Sequence, residues 1–261
     1  MRFFDTHAHI GLIVEDTIER LIILKSAKHA KVDAIISICN NLVDFKKLYK
    51  ELADSSNLFF AAGISPTEIE HKSKDWQEQL EEILTWNKVV AVGETGLDYM
   101  KKTGSRDQQI ELFIKHLQLA DRNNKPAIIH NRNANNDILD VLGSYMPKQG
   151  AVLHCFCEDP TFAQEAISRF DNLYISFAGN LTWRNSYNLH KSAIVLPLNR
   201  ILVETESPFM KPTLYKDVRT KPEFIHTTVE YLAGLRNESV EYVAEILFEN
   251  AERFFQISIP K

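Results

Sequence analysis

Short β-rich runs alternate with helix-like stretches along the whole chain, and eight such runs can be recognised. Runs that are apolar throughout, such as Ala34-Ile35-Ile36, are typical of strands buried on both faces of a parallel sheet. The sequence predicts strands over residues 2–5, 34–38, 59–63, 89–93, 127–130, 151–154, 173–176 and 201–204. This order predicts an α/β fold in which strands and helices follow one another.

The stretches between and after these strands show helical spacing of apolar residues. In one of them, Phe113, Leu117 and Ala120 fall on a single helix face. One helix is predicted to begin at Asp16, and the others span residues 44–53, 76–86, 108–123, 160–170, 222–235 and 239–255.

Eight strands alternating with helices predict a (β/α)8 TIM barrel, formed as a single domain over residues 1–261. Residues 185–198 show only a weak pattern. The alternative is an open, doubly wound sheet, but no glycine-rich phosphate loop follows the first strand.

The bulk composition narrows the class of protein. A net charge of −5 argues against a protein that coats nucleic acid electrostatically, although an enzyme that grips a few phosphates stays possible. No apolar run approaches the ~20 residues that span a bilayer, and the first residues reach Asp5 at once, so we expect neither a membrane anchor nor a signal peptide. Three cysteines make no disulfide framework, which indicates a reducing, cytoplasmic setting. No obligate protein partner is evident from the sequence.

Histidines and carboxylates stand where the apolar runs end. His7 and His9 are two residues apart, so on an extended strand they project to the same side and can chelate one metal. Taken alone, the pair is equally well explained as solvated or capping histidines. His130 and His154 each close an apolar run, where a single histidine is more often a satisfied core residue. The shared position of all four favours a metal site at one end of the barrel.

The carboxylates follow the same rule. Glu94 ends an apolar run, where burial is unfavourable unless the group is paired or metal-bound, and it has the two oxygens needed to bridge two cations. Glu206 follows the last strand and is a candidate proton acceptor, but the spacing does not say whether Glu204 or Glu206 faces the site. Asp98 is a candidate acceptor for a ligand histidine or for Arg132, or a loop cap.

Together these segments resemble the TatD family of metal-dependent deoxyribonucleases. The similarity covers residues 5–255 in order, and it includes Gln109 with Phe113, Leu117, Leu119 and Ala120, and the closing Asn250-Ala251-Glu252-Arg253-Phe254-Phe255. The motifs that carry it are Asp5-Thr6-His7-Ala8-His9, Gly93-Glu94-Thr95-Gly96-Leu97-Asp98-Tyr99, Pro126-Ala127-Ile128-Ile129-His130-Asn131-Arg132, His154-Cys155-Phe156 and Glu204-Thr205-Glu206-Ser207-Pro208-Phe209.

The resemblance implies a TIM barrel of the amidohydrolase superfamily with two divalent metal ions (Mg, Mn or Zn). It implies hydrolysis of phosphodiester bonds in DNA, often from the 3′ end, with single-stranded or frayed ends as substrate. His7, His9 and the acid after strand eight would hold one metal, His130 and His154 the second, and Glu94 would bridge them. The same acid, Glu206, would accept a proton from the attacking water.

Arg132 would steady the phosphate, because a guanidinium suits a bidentate grip, although a surface ion pair explains it equally well. Lys101 and Lys102 lie in a loop, residues 100–105, that is a plausible DNA contact; a solvated loop is the commoner meaning of such a charge pair.

Three positions depart from the family pattern. Glu206 stands where the family has aspartate, so its stem is one methylene longer. Ser65 replaces a histidine after the third strand; it can donate one neutral hydrogen bond to a phosphate but cannot carry a charge. Cys157 and Glu158 replace Ser-Gly, which makes Cys157 either a stray metal ligand or a small loop residue. We therefore expect metal binding to be kept, with an altered nuclease rate or substrate choice.

Two other functions compete with a nuclease. The first is an amidohydrolase-type enzyme acting on a small phosphoester or amide, since function on this fold depends on the loops. The second is a degenerate metal-binding or nucleic-acid-binding protein with little turnover, which Ser65 and Glu206 would explain but which the five retained ligands make less expected.

Overall fold

Eight parallel strands form one sheet in which the spatial order equals the chain order. The computed structural model describes residues 1–101, 103–215 and 218–260. The strands are β1 Phe3–Ala8, β2 Val32–Ile38, β3 Leu58–Ala62, β4 Val89–Asp98, β5 Ala127–Arg132, β6 Ala151–Leu153, β7 Leu173–Phe177 and β8 Ile201–Val203. The predicted (β/α)8 barrel is confirmed.

The barrel closes between β1 and the segment after β8. Ala8 and Ser207 form a parallel bridge, the His9 amide donates to the Ser207 carbonyl at 2.8 Å, and the Glu206 amide donates to the His7 carbonyl at 2.9 Å. The last contacts of the barrel are therefore made by the chain segments that carry candidate metal ligands.

Ten α-helices are described. They are α1 Ile10–Ile13, α2 Thr17–His29, α3 Leu42–Leu52, α4 Trp76–Ile83, α5 Arg106–Arg122, α6 Asn135–Tyr145, α7 Pro160–Arg169, α8 Tyr187–Val195, α9 Ile225–Arg236 and α10 Val240–Phe255. Short 3-10 turns span Pro66–His71, Gly179–Thr182, Leu198–Arg200, Thr213–Tyr215 and Pro222–Phe224. Within the described residues, no helix is long and apolar enough to cross a membrane.

The core has two layers. Inside the barrel, Phe4, Ile36, Ile128 and other inward strand residues pack together, and Phe255 of α10 stacks on Phe4 at a ring distance of 5.7 Å. Helix α10 therefore covers the end of the barrel that carries the strand amino termini, which leaves the carboxyl end for the polar residues. A larger apolar layer lies between the strands and the surrounding helices.

Some predicted boundaries are wrong. Strand β4 does not stop at residue 93 but runs to Asp98, because Thr95 to Asp98 pair with Ile129 to Arg132 of β5. Strand β1 likewise runs to Ala8, so His7 and Glu94 lie within strands and not after them, while His130 lies within β5 as predicted. In α2 the apolar residues Ile18 and Ile22 are exposed, and the buried face is formed by Arg20, Ile23, Leu24 and Ala27.

Candidate metal centre

The first cluster lies at the ends of β1 and β8. The Nε2 atoms of His7 and His9 are 3.2 Å apart, as expected for side chains two residues apart on an extended segment. Glu206 faces both rings: its Oε2 lies 3.1 Å from His7 Nε2 and its Oε1 lies 3.7 Å from His9 Nε2. Two imidazole nitrogens and one carboxylate thus converge on a single point.

The second cluster lies at the ends of β5 and β6. His154 Nε2 is 3.4 Å from His130 Nδ1, and Glu94 Oε1 lies 3.0 Å from His130 Nδ1 and 3.6 Å from His154 Nε2. The two rings present different nitrogens to the shared point, because each uses its other nitrogen for a hydrogen bond behind the site.

Glu94 belongs to both clusters. While its Oε1 faces the second pair of histidines, its Oε2 lies 3.9 Å from His7 Nε2 and 3.9 Å from His9 Nε2. The carboxylate is 5% exposed, so these imidazoles are its main partners in place of water. This is the arrangement that a carboxylate bridging two cations requires.

Two buried carboxylates orient the second pair of histidines. Asp98 Oδ2 lies 3.1 Å from His130 Nε2, and Glu204 Oε1 lies 3.3 Å from His154 Nδ1 while also accepting from the Cys155 amide at 2.9 Å. Such partners fix the orientation of a ligand ring and make its free nitrogen a better donor. Asp98 is itself held by Gln109, whose amide group exchanges two hydrogen bonds with the Asp98 backbone.

Glu206, and not Glu204, faces both histidines of the first cluster. Its carboxylate contacts His7 from a backbone with a φ of +54°. Glu204, in contrast, is fully buried behind His154. The longer glutamate stem is accommodated with the carboxylate still within 3.1 Å of His7 Nε2.

Gly96 allows β4 and β5 to approach each other beside His130. A Cβ at this position would lie 2.1 Å from the His130 carbonyl oxygen, and the φ of +132° is one that side chains rarely adopt. The second glycine of the Gly-Glu-Thr-Gly motif is thus explained by the packing of the strand that carries a ligand.

The electrostatics favour ionised carboxylates in the centre. Burial opposes ionisation of Glu206, but the charges of His7 and His9 outweigh it and lower its pKa to about 2. Burial likewise opposes ionisation of Glu94, and hydrogen bonds from His130 and His154 hold its pKa well below the usual range. Negative charge is therefore available where cations would bind.

Asp5 is a buried acid that the sequence interpretation did not single out. Burial raises its pKa to about 8, although the Thr205 amide donates a hydrogen bond to it at 2.8 Å. Its place in the Asp-Thr-His-Ala-His motif was visible, but its contact with the segment after β8 depends on barrel closure. It holds that segment in position beneath the first cluster.

The donor set fits divalent metals. Three groups of His and Glu side chains each bring their possible ligand atoms within 4.8 Å of one another. They are His7 with His154, Glu204 and Glu206; His7 with His9 and Glu94; and Glu94 with His130 and His154. Glu206 Oε2 is buried with no hydrogen-bond partner among the described residues, which is unfavourable unless a cation binds there. Imidazole and carboxylate donors of this kind suit Zn or Mn and, through the carboxylates, Mg.

Two predicted phosphate contacts differ in placement. Arg132 ends β5, two residues beyond His130, and is exposed with no carboxylate paired to its guanidinium in the described parts of the chain. Ser65 is 2% exposed and its hydroxyl caps the 3-10 turn Pro66–His71, 3.1 Å from Thr67 Oγ1. The structure therefore does not present Ser65 to an open phosphate site, because the hydroxyl is used in a cap.

The remaining departures are loop residues. Cys157 donates to the Cys155 carbonyl at 3.1 Å and lies outside the His/Glu groups, as expected for a loop residue. Glu158 accepts a hydrogen bond from Asn135 at 2.9 Å, which ties it to α6. The predicted DNA contact at Lys101 and Lys102 is described only in part, because Lys102 lies outside the described residues.

The barrel and its two His/Glu clusters are those of a metal-dependent hydrolase. Residues 4–256 match the family model described as TatD related DNase, so the chain belongs to this family. A metal-dependent hydrolase of Buchnera aphidicola (subsp. Baizongia pistaciae) is 33% identical to this chain over 260 residues. The alignment covers 98% of this chain and 97% of the relative.

Similar agreement is found with two Escherichia coli K12 proteins. The metal-dependent hydrolase YcfH is 31% identical over 260 residues, covering 98% of this chain and 97% of its own. The crystal structure of YJJV, a TatD homologue, has a TM-score of 0.92 at 27% identity and covers 98% of this chain and 99% of that one.

Proposed function

We propose that this protein is a deoxyribonuclease that hydrolyses phosphodiester bonds from the 3′ end of single-stranded or frayed DNA. Two divalent ions (Mg, Mn or Zn) would be held by His7, His9 and Glu206 on one side, and by His130 and His154 on the other, with Glu94 between them. The observation that carries the proposal is the divided contact of Glu94, whose two oxygens face different histidine pairs.

Two cations in such a site supply a stronger water nucleophile at neutral pH and offset charge on the phosphoryl oxygens. The residues of the chain do the rest. Glu206 is ionised, since its pKa is about 2, and it would accept the proton of the attacking water. Asp98 and Glu204 would hold the rings of His130 and His154 in the orientation that metal binding needs.

Arg132 is assigned to the phosphate. Its guanidinium is exposed at the rim, next to a ligand histidine, and is not used in an ion pair within the described residues. A bidentate hydrogen bond to two phosphate oxygens is the contact a guanidinium makes best. Ser65 would first have to leave its cap, so the phosphate contact does not depend on it.

The substrate has room beside the first cluster. A cleft of about 380 Å³ opens next to His9, and its lining carries Arg20 and the exposed Lys47 together with the carboxylates Glu15 and Asp44. This volume is within the range of small-ligand sites. It would accept the nucleotide that is released from the strand end.

The test is cleavage of an end-labelled single-stranded oligonucleotide with Mg²⁺, Mn²⁺ or Zn²⁺. We expect products that shorten stepwise from the 3′ end, lost with EDTA and lost in His130→Ala. An Arg132→Lys variant is the matched control for charge without a bidentate grip, and we expect a raised KM. Metal-loaded protein that leaves DNA intact but hydrolyses a panel of small phosphodiesters or amides would refute the nuclease and favour the small-substrate hydrolase. Turnover of neither would indicate a degenerate family member.

A further inference from the structure

We propose that Trp183 and Phe209 form a stacking platform for unpaired nucleobases at the rim of the metal centre. The inference rests on the proposed nuclease function and names the residues that would select a single strand over a small phosphodiester. It starts from two exposed aromatic side chains: Phe209, 50% exposed, contacts His9, and Trp183, 43% exposed, is hydrogen-bonded to the loop that follows Phe209.

Phe209 lies directly beside a ligand of the first cluster. Its ring centroid is 6.0 Å from that of His9, with the rings at 73°, and half of the Phe209 residue surface remains exposed. It follows the Glu206 turn, and its amide donates to the Glu206 carbonyl. A base stacked on Phe209 would therefore belong to a nucleotide close to the scissile phosphate.

Trp183 follows the 3-10 turn Gly179–Thr182 after β7, and its orientation is fixed. The indole Nε1 donates to the Lys211 carbonyl at 2.7 Å, and the Trp183 backbone is held by Asn180 and Ser186. The polar edge of the indole is thus satisfied within the protein, while much of the apolar face meets solvent. A preorganised ring of this kind loses little entropy when a planar ligand covers it.

The two aromatics sit on loops that are joined rigidly. The Thr213 amide donates to Thr182 Oγ1 at 2.8 Å, and Thr213 Oγ1 donates to the Thr182 carbonyl at 2.8 Å. At Gly179 a Cβ would lie 2.0 Å from the Met210 carbonyl oxygen, so the loops touch at backbone level. Trp183 and Phe209 therefore keep a fixed relation to each other and to the metal ligands.

Nucleobases are the ligand that this chemistry fits. The chain has a net charge of −5, so contacts with the phosphate backbone supply little affinity outside the metal centre. Aromatic stacking is insensitive to base sequence and contributes about one order of magnitude in affinity per base. Bases in a duplex are already stacked on each other, so the platform would favour unpaired ends.

The experiment compares two ligands with the same backbone charge. A short phosphorothioate-linked oligothymidylate and its abasic counterpart are titrated into the protein in the presence of Mn²⁺, with binding followed by anisotropy of a 5′ label. We expect wild type to bind the base-containing strand about tenfold more tightly or better, and Trp183→Ala to lose most of that preference. Trp183→Phe should retain it, because the stacking face is kept.

Tyr145→Ala is the matched control, an aromatic of similar exposure (38%) at the carboxyl end of α6, on the opposite end of the barrel. It should leave the base preference unchanged. An unaltered preference in Trp183→Ala and in Phe209→Ala would overturn the platform. So would a wild-type dimer that Trp183→Ala converts to a monomer, since a second copy would then cover these rings. Failure of the nuclease function is a separate result: unmodified oligonucleotide would stay intact while base-dependent binding is still measured.

Discussion

Acidification is expected to weaken the fold through one buried histidine outside the metal centre. His116 lies on α5 with no exposed surface. Its Nε2 accepts a hydrogen bond from the Ile64 amide at 3.0 Å, its Nδ1 donates to the Leu112 carbonyl at 2.8 Å, and its ring stacks on Trp76 at 4.7 Å. The acceptor role of Nε2 requires the neutral ring, so protonation and the hydrogen bond to Ile64 exclude each other.

The magnitude follows from the two pKa values. Burial lowers the pKa of His116 from 6.5 to about 4 in the folded protein, while the unfolded chain keeps the ordinary value. Above the unfolded value neither state binds the proton, and stability is unaffected. Below it the unfolded chain takes up a proton that the folded protein refuses, so the free energy of unfolding falls by about 1.4 kcal/mol per pH unit. The loss approaches about 3 kcal/mol near the folded pKa of about 4 and then levels off.

The assay is urea unfolding of the EDTA-treated protein from neutral pH down to about pH 4. His116→Gln keeps an acceptor for the Ile64 amide but cannot be protonated. On acidification the free energy of unfolding of wild type should therefore fall by about 3 kcal/mol relative to that of the variant. His29→Gln, on the exposed end of α2, is the control for loss of any histidine. A gap that stays constant across this range would refute the neutral, buried state of His116.

Three further predictions concern the metal centre. Glu206→Asp draws the carboxylate back by about 1.5 Å, so we expect elemental analysis to find fewer bound metal ions and oligonucleotide cleavage to show a changed rate. Stability should not fall, because aspartate tolerates a positive φ better. Equal metal content and rate would contradict this. Glu94→Gln should weaken both metal sites whereas His130→Ala should lose one, and the opposite ranking of metal stoichiometry would exclude a bridge. Gly96→Ala should lower the free energy of unfolding by about 3 kcal/mol, because the added Cβ forces β5 away. Gly234→Ala, which has open space around it in α9, should raise the free energy of unfolding by up to about 1 kcal/mol. If denaturant unfolding gave the two variants similar stabilities, the packing argument would be contradicted.

The barrel was predictable because its strands are buried on both faces and therefore read as apolar runs. All eight were found, and long helices such as α5 and α10 were found with them. Helices α1 and α8 were not predicted, the latter within the weak pattern of residues 185–198, and helix α6 was missed as well. It begins with Asn135-Asn136 and has no side-chain cap at Ala134, so its start carries no recognisable signal, although Ile138, Leu139 and Leu142 repeat at helical spacing.

The ligand residues were predictable because they occur together at strand ends, but their geometry was not. Sequence spacing leaves Glu204 and Glu206 equivalent, and only the structure separates the carboxylate that faces His7 and His9 from the one that orients His154. The hydroxyl of Ser65 looked available for phosphate until the turn that it caps was known. The direction of a side chain in a turn depends on the backbone angles of that turn, and the spacing of apolar residues in the sequence does not give those angles.

Metal binding and barrel closure are joined in this protein. The contacts between β1 and the segment after β8 run through the backbone of His7, His9 and Glu206, and Asp5 fastens Thr205 beneath them. Glu94 and Glu206 lie in the buried space at this seam among imidazoles that favour their ionised forms. A cation bound by His7, His9 and Glu206 would be held from both sides of the seam, and would therefore draw the ends of the first and last strands together. Three residues of the proposed metal site, His7, His9 and Glu206, are thus also residues whose backbone completes the barrel.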